Sequence, residues 1–306
     1  MPKRELHCHI DGSVSLPLMT KLLGRQVLIG EASVPLNCRS LTEYLRCFDL
    51  PVSLMQTPEN IKAVTCDVIR QARQDHITYI EPRFCPMLHT GEGLTNDLVV
   101  EAALEGLKEG EKRYGVRSQL ILCGLRHIPI EDDLKMLDTA EKYIGRGVCA
   151  VDLAGDESRY SNRDFEEYLR EIKRRDLPFV IHSGETGSVE NVRIAIEYGA
   201  KRIGHGIALM KDPDLMKEAA LKRVGIEMCP SSNLQTKAID SLRNYPLKLF
   251  LDAGVPASIH TDNRTVTDTT LTDEFWLIYS RYNDDGIMET LLRNAEETSF
   301  PYPGGR

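Results

Sequence analysis

The sequence predicts an α/β fold, a (β/α)8 barrel with a helical insertion between its first and second strands. Three observations predict it. Eight short apolar runs alternate with longer amphipathic stretches along the 306 residues, the pattern of repeated βα units. Ionisable residues collect at the C-terminal ends of those runs, which a barrel gathers at one mouth. No G-x-G-x-x-G follows any run, which disfavours the dinucleotide-binding form of the alternative, an open doubly wound sheet.

The runs come in order at Glu5 to His9, Ile77 to Phe84, Gln119 to Leu125, Val148 to Leu153, Phe179 to His182, Arg202 to His205, Val224 to Cys229 and Val255 to His260. Each is short and rich in β-branched or apolar residues, as strands covered on both faces are. Helical spacing predicts helices over Pro58 to Gln74, Leu94 to Tyr114, Ile130 to Tyr143, Asn162 to Arg175, Val189 to Tyr198, Asp212 to Lys222 and Tyr245 to Ala253. The longest gap, residues 13–76, holds several helical patterns, among them Leu41 to Phe48. A βα connection of a barrel sits on its active face, so this stretch is expected to cover the mouth as a lid. No linker or low-complexity segment interrupts the chain, which predicts one domain over 1–306. The stretch from Phe300 to Arg306, rich in Pro and Gly, reads as disordered or loosely docked.

Composition narrows the class of function. Hydrophobic residues make up 42% and charged residues 27%, enough apolar material for a large core. A formal net charge of −8 argues against general binding to nucleic acid or anionic membranes. There is no apolar run of membrane-spanning length. Met1-Pro2-Lys3-Arg4 leads into a polar strand rather than an apolar signal segment, so a cytoplasmic location is expected. The eight cysteines include no C-x-x-C pair and mostly sit in apolar runs, as small buried hydrophobes do in a reducing compartment.

The chemistry gathers at the strand ends. His7 and His9 alternate with Leu6, Cys8 and Ile10, so an extended backbone points both imidazoles to one face. The fourth run leads into Asp152-Leu153-Ala154-Gly155-Asp156-Glu157, the fifth into His182-Ser183-Gly184-Glu185, the sixth into Gly204-His205-Gly206, and the eighth into His260-Thr261-Asp262-Asn263. A barrel would therefore converge His7, His9, His182, His205 and Asp262. Imidazoles with a carboxylate suit Zn²⁺, whose open position would give a hydroxide source near neutral pH. Glu185, three residues beyond His182, is better placed as an acid/base group above the metal. No lysine ends the fourth strand, so nothing there could be carbamylated to bridge two ions, and a single ion is expected. The remaining histidines take structural roles: His76 solvated in a turn, His89 near the pocket, and His127 ordering a loop. H-E-x-x-H is missing, and so is the H-x-E with P-C-x-x-C of other zinc deaminases.

Taken together, Glu5 to Ser13, Tyr79-Ile80-Glu81-Pro82-Arg83-Phe84, Asp152 to Glu157, His182 to Glu185, Arg202 to Gly206, Glu227-Met228-Cys229-Pro230-Ser231-Ser232-Asn233 and Thr261-Asp262-Asn263 resemble the adenosine deaminase family of the amidohydrolase superfamily. These motifs run in order through nearly the whole chain. The resemblance implies zinc-dependent hydrolytic deamination of adenosine, or a closely related 6-aminopurine nucleoside, to inosine and ammonia. It implies zinc ligands His7, His9, His182 and Asp262, with water completing the shell. His205 would orient that water and help take its proton, and Asp262 would also hydrogen-bond it. Glu185 would protonate purine nitrogen 1, making carbon 6 electrophilic. Gly155 would bond ring nitrogen 3 through its backbone, Asp11 would meet the ribose 5′-hydroxyl, and Phe48 of the lid would pack on the base. Relatives acting on the free base tend to carry Glu at the position of Asp11, and a carboxylate there would repel a phosphate, so a nucleoside is the expected substrate.

Three departures from the family pattern stand out. Asn263 replaces the usual second aspartate facing ring nitrogen 7, a contact that an amide N–H can still make. His260 stands where asparagine is frequent and is read as structural. Little sequence follows Phe300, where relatives usually continue into further helix, so weaker docking of the final helix is expected. Two other readings use the same residues: a hydrolase of the superfamily acting on another aminopurine, such as adenine, aminodeoxyfutalosine or methylthioadenosine, or a barrel that binds nucleosides without turnover.

Overall fold

The computed structural model describes residues 1–35 and 38–303. Eight parallel strands make the frame. The first four, β1 (Lys3–His9), β2 (Ile77–Phe84), β3 (Leu120–Leu125) and β4 (Val148–Ala154), pair in chain order. So do β5 (Val180–Ser183), β6 (Arg202–His205), β7 (Gly225–Met228) and β8 (Ala257–Ile259). Two single bridges join the groups, Val151 to Phe179 and Cys8 to Asp262, which closes a barrel. The expected α/β barrel is therefore the fold. The last two strands are shorter than their apolar runs, because Val224, Cys229, Val255 and His260 fall outside the ladder.

Helices cover the outside. Thr57 caps α4 (Pro58–Gln74) by accepting from the Asn60 amide, and Pro58 stands where no amide is needed. Ile61, Val64, Val68, Ile69 and Ala72 recur at helical spacing and bury against β2 and α5 (Asn96–Tyr114). α6 (Ile130–Tyr143) and α8 (Val189–Tyr198) match the expected spans. The stretch from Asn162 to Arg175 does not form one helix. It starts with a 3₁₀ turn, Asn162–Phe165, before α7 (Glu166–Arg174). The Asn162 amide turns inward to donate to Ser183 Oγ and the Asn191 carbonyl, which holds the turn apart from the helix.

The insertion divides. α1 (Leu16–Leu23) and α4 lie in the outer layer. Residues of α2 (Leu41–Leu45), α3 (Asp49–Leu54) and the turn between them line the cavity at the mouth. Tyr44 donates to or accepts from Thr267 at 2.6 Å, and the Thr42 hydroxyl donates to Asp156 at 2.6 Å, tying this segment to two barrel loops.

The tail departs from expectation. Phe300 is 7% exposed at the bottom of the barrel. Its amide donates to Glu81 (2.7 Å), its carbonyl accepts from Tyr79 (3.3 Å), and its ring lies 4.7 Å beneath the Arg202 guanidinium. Gln119 donates to the Pro301 carbonyl. An apolar ring with satisfied backbone groups on either side seals the open end of the strands, and the Pro/Gly content gave no sign of that. Residues 304–306 lie outside the described residues. α13 (Asp285–Thr298), the final helix, packs on β1 and β8, and its Glu296 and Glu297 pair with Arg4 and Arg223. All eight cysteines are free thiols. Among the described residues no helix is long and apolar enough to cross a membrane.

Candidate active site

Every second residue of a barrel strand faces inward. In this barrel many of those positions are charged. Glu5, His7, Glu81, Arg83, Asp152, Arg202 and Glu227 are all fully buried. Such a set is tolerable only when each charge is paired. Arg83 donates to Asp152 (2.9 Å) and Glu227 (2.9 Å), and Arg202 pairs with Glu227 and Glu81 at 2.5 Å each. The polar rod runs from Phe300 at the bottom to the histidines at the top.

At the top, Glu227 Oε2 lies 2.8 Å from His7 Nδ1, and Asp152 Oδ2 lies 3.0 Å from His182 Nδ1. Carboxylates only accept, so both rings carry a proton on Nδ1, and in its neutral form, the form that binds a cation, each offers a bare lone pair at Nε2. Those lone pairs converge. His9 Nε2 stands 3.2 Å from His182 Nε2, and Asp262 Oδ1 stands 3.3 Å from His7 Nε2 and 3.6 Å from His9 Nε2. One donor atom from each of His7, His9, His182 and Asp262 lies within 4.8 Å of the others. His7 Nε2 is buried without a hydrogen-bond partner. Facing lone pairs beside a carboxylate repel unless a cation sits among them, so this donor set fits a bound divalent ion.

Backbone geometry makes the convergence possible. Gly204 lies against the His7 ring, where a Cβ would stand 2.9 Å from Cε1. His205 and Asp262 take positive φ, 64° and 61°, a strained conformation that re-aims each side chain where its strand ends.

Charge states follow from the surroundings. Burial, then the Arg83 charge, pushes His7 down to about 4, and burial takes His9 down to about 3. Burial would also lower His182, but the Asp152 carboxylate outweighs it and the net shift is upward. Burial raises Glu185, whose Oε1 has no partner, and Oε2 stands 3.7 Å from His205 Nε2. Burial would raise Asp262 too, yet the His7, His205 and His9 imidazoles around it hold it well below the usual carboxylate range. Tyr245 donates to Asn233 Oδ1, which leaves the Asn233 amide N–H for His205 Nδ1 at 3.0 Å. A neutral His205 then carries its proton on Nε2, facing the cavity.

A cavity of about 240 Å³ opens beside this cluster. His9, His182, Glu185, His205 and Asp262 line it, and so do Asp11, Phe48, Gly155 and Asn263. All the sequence-derived site residues except His7 therefore share one cavity wall, and His7 lies just beneath. The Asn263 amide donates to Tyr44 Oη at 2.7 Å. Its Oδ1 packs so tightly over Gly12 that any Cβ there would overlap it. His260 bonds Glu5 (3.0 Å) and Ser258 (2.7 Å), away from the ion cluster, in the structural part expected of it. His76 is exposed in a turn. His127 lines the cavity.

Sequence reasoning assigned no role to Arg83, Glu227 or Ser232, although Ser232 donates to Asp262 at 2.6 Å. Arg83 had a signal. Glu81 and Arg83 are charges two apart inside an otherwise apolar buried strand, a placement that requires internal partners.

A model of the family described as adenosine deaminase matches residues 2–301. The adenosine deaminase of Clostridium acetobutylicum is 40% identical over 313 aligned residues, covering 98% of this chain and 93% of that protein. Among solved structures, an adenine deaminase from Arthrobacter aurescens superposes with a TM-score of 0.88 at 23% identity, covering 99% of this chain and 94% of that one. A zinc-bound amidohydrolase from Burkholderia ambifaria gives 0.86 at 16% identity, covering 99% and 86%. At those identities the two structures speak for the fold alone.

Proposed function

Because the chain belongs to the adenosine deaminase family, we propose that it hydrolyses adenosine to inosine and ammonia at the His7, His9, His182 and Asp262 centre, with one zinc ion. The observation that carries this reading is the convergence of three imidazole nitrogens and a carboxylate beside a buried, upward-shifted Glu185. An ion held by these donors supplies Lewis acidity and a nucleophilic oxygen from water near neutral pH.

The chain's own residues do the rest. Burial favours the protonated form of Glu185, and the acid donates to purine nitrogen 1, so carbon 6 accepts the attacking oxygen. His205 orients that oxygen by donation from Nε2–H, and the Asp262 carboxylate accepts the proton that the water gives up and passes it to the amino nitrogen. The C6–N6 bond then breaks, ammonia leaves, and the proton lost from the new oxygen restores the Glu185 acid. The Gly155 backbone meets ring nitrogen 3. The Asn263 amide has a second N–H for ring nitrogen 7 once Tyr44 has taken the first. Asp11 receives the ribose 5′-hydroxyl and repels a phosphate there. Residues 41–54, with Phe48 facing the base, act as the lid that excludes water from a single-domain barrel.

Purified protein loaded with zinc should release ammonia from adenosine and shift the purine absorbance to that of inosine. Removal of the metal by a chelator should abolish turnover, and zinc should restore it. No turnover of adenosine or of any other 6-aminopurine by zinc-loaded protein would overturn the reading.

A further inference from the structure

We propose that position 89 sets sugar recognition by presenting Asp11 with no protein donor, which leaves the carboxylate to a hydroxyl of the ligand. This rests on the reading of Asp11 given above. His89 ends the 3₁₀ turn Pro86–His89 that follows β2, and it is fully buried. Its Nδ1 lies 3.1 Å from the Met55 carbonyl. A carbonyl only accepts, so a ring with one N–H carries it on Nδ1, pointing away from the cavity. Nε2 then turns a lone pair toward Asp11 Oδ2, 3.8 Å away.

Both His89 Nε2 and Asp11 Oδ1 are buried without a hydrogen-bond partner. Buried acceptors left bare are costly, and structures keep few of them. Here the Nδ1 bond to Met55 holds the ring in this orientation. Gln56 clamps the same turn, donating to the Leu88 carbonyl at 3.0 Å and accepting from the Gly91 amide at 3.0 Å. Phe84 packs on the His89 ring with centroids 5.4 Å apart. Asp11 therefore meets a fixed acceptor on one side and the substrate cavity on the other. A ligand hydroxyl is the donor that the corner lacks. A site built to receive a hydroxyl rejects the analogue without one far more strongly than an apolar pocket does, because its polar groups are then left bare.

The test compares kcat/KM for adenosine with kcat/KM for 5′-deoxyadenosine. Taken as a ratio within one protein sample, it does not depend on how much of a variant is folded. His89→Gln offers Asp11 an amide donor and should lower the ratio about tenfold. His89→Met fills similar space, donates nothing and should stay within about twofold of the native ratio. A ratio unchanged in His89→Gln, or lowered equally in both variants, overturns the role of His89. Asp11→Ala is the control: a native ratio in that variant would overturn the Asp11 reading itself, and this inference with it.

Discussion

Glu185 and Asp262 are carboxyl groups in the same cavity, and burial acts on them to opposite ends. Glu185 has no cation within hydrogen-bond reach, so loss of water raises its pKa. Asp262 sits among imidazoles and accepts from Ser232, which more than offsets the same loss. The same burial thus favours the acid form of one carboxyl while its neighbours favour the anion of the other, which is the division of labour that the proposed reaction needs. Replacing Glu185 by Gln should leave zinc content at the native level and lower kcat by ~10² or more. Metal analysis and steady-state kinetics on one preparation check both halves. Full activity in that variant would remove Glu185 from the reaction.

Elements also meet at a buried group outside the cavity wall. Glu274 lies on α12 (Leu271–Tyr282) and accepts from the Ser231 amide at the start of α10 (Pro230–Gln235) and from the Thr269 hydroxyl. Burial pushes it up to about 7. The unfolded chain ionises this carboxyl near its ordinary value, while the folded chain holds the proton. Stability therefore falls as pH rises between about 4.5 and 7, by roughly 3 kcal/mol if the shift is fully expressed. Glu274→Gln should accordingly be more stable than the native protein at pH 8, with the gain gone near pH 4.5. Urea midpoints of both proteins at the two values test it.

Strands and helices were legible to different depths. β2, β6, α4, α6 and α8 match the sequence reading residue for residue, because apolar spacing and caps bound them locally. The 3₁₀ turn before α7 was not legible, since it depends on Asn191 and Ser183 from later in the chain. The histidines and Asp262 stood out at strand ends. Glu227 did not, and the charge spacing that marked Arg83 could not name its partner, because only closure of the barrel brings the two together.

The whole molecule is sealed from below. The last described turn brings Phe300 under Arg202, which pairs with Glu227, which in turn holds His7. Phe300→Ala should cost ~3–5 kcal/mol of stability, as large-to-small changes at buried aromatics do. It should leave kcat per zinc-loaded site within about twofold of native, since no group that touches substrate moves. Chemical denaturation alongside metal-normalised kinetics decides it. A loss below 1 kcal/mol would mean that the ring only rests against the barrel.

The seam between the first and last strands also carries the ion cluster. His9 and Asp262 exchange backbone contacts there, with the His9 amide donating to the Asp262 carbonyl and the Asp262 amide to that of His7. In chain order His7 and His9 come first, His182 follows, and Asp262 comes last. The four-donor set is therefore complete only when the segment around residue 262 has been laid beside the first strand, so that barrel closure and assembly of the ion cradle are one event.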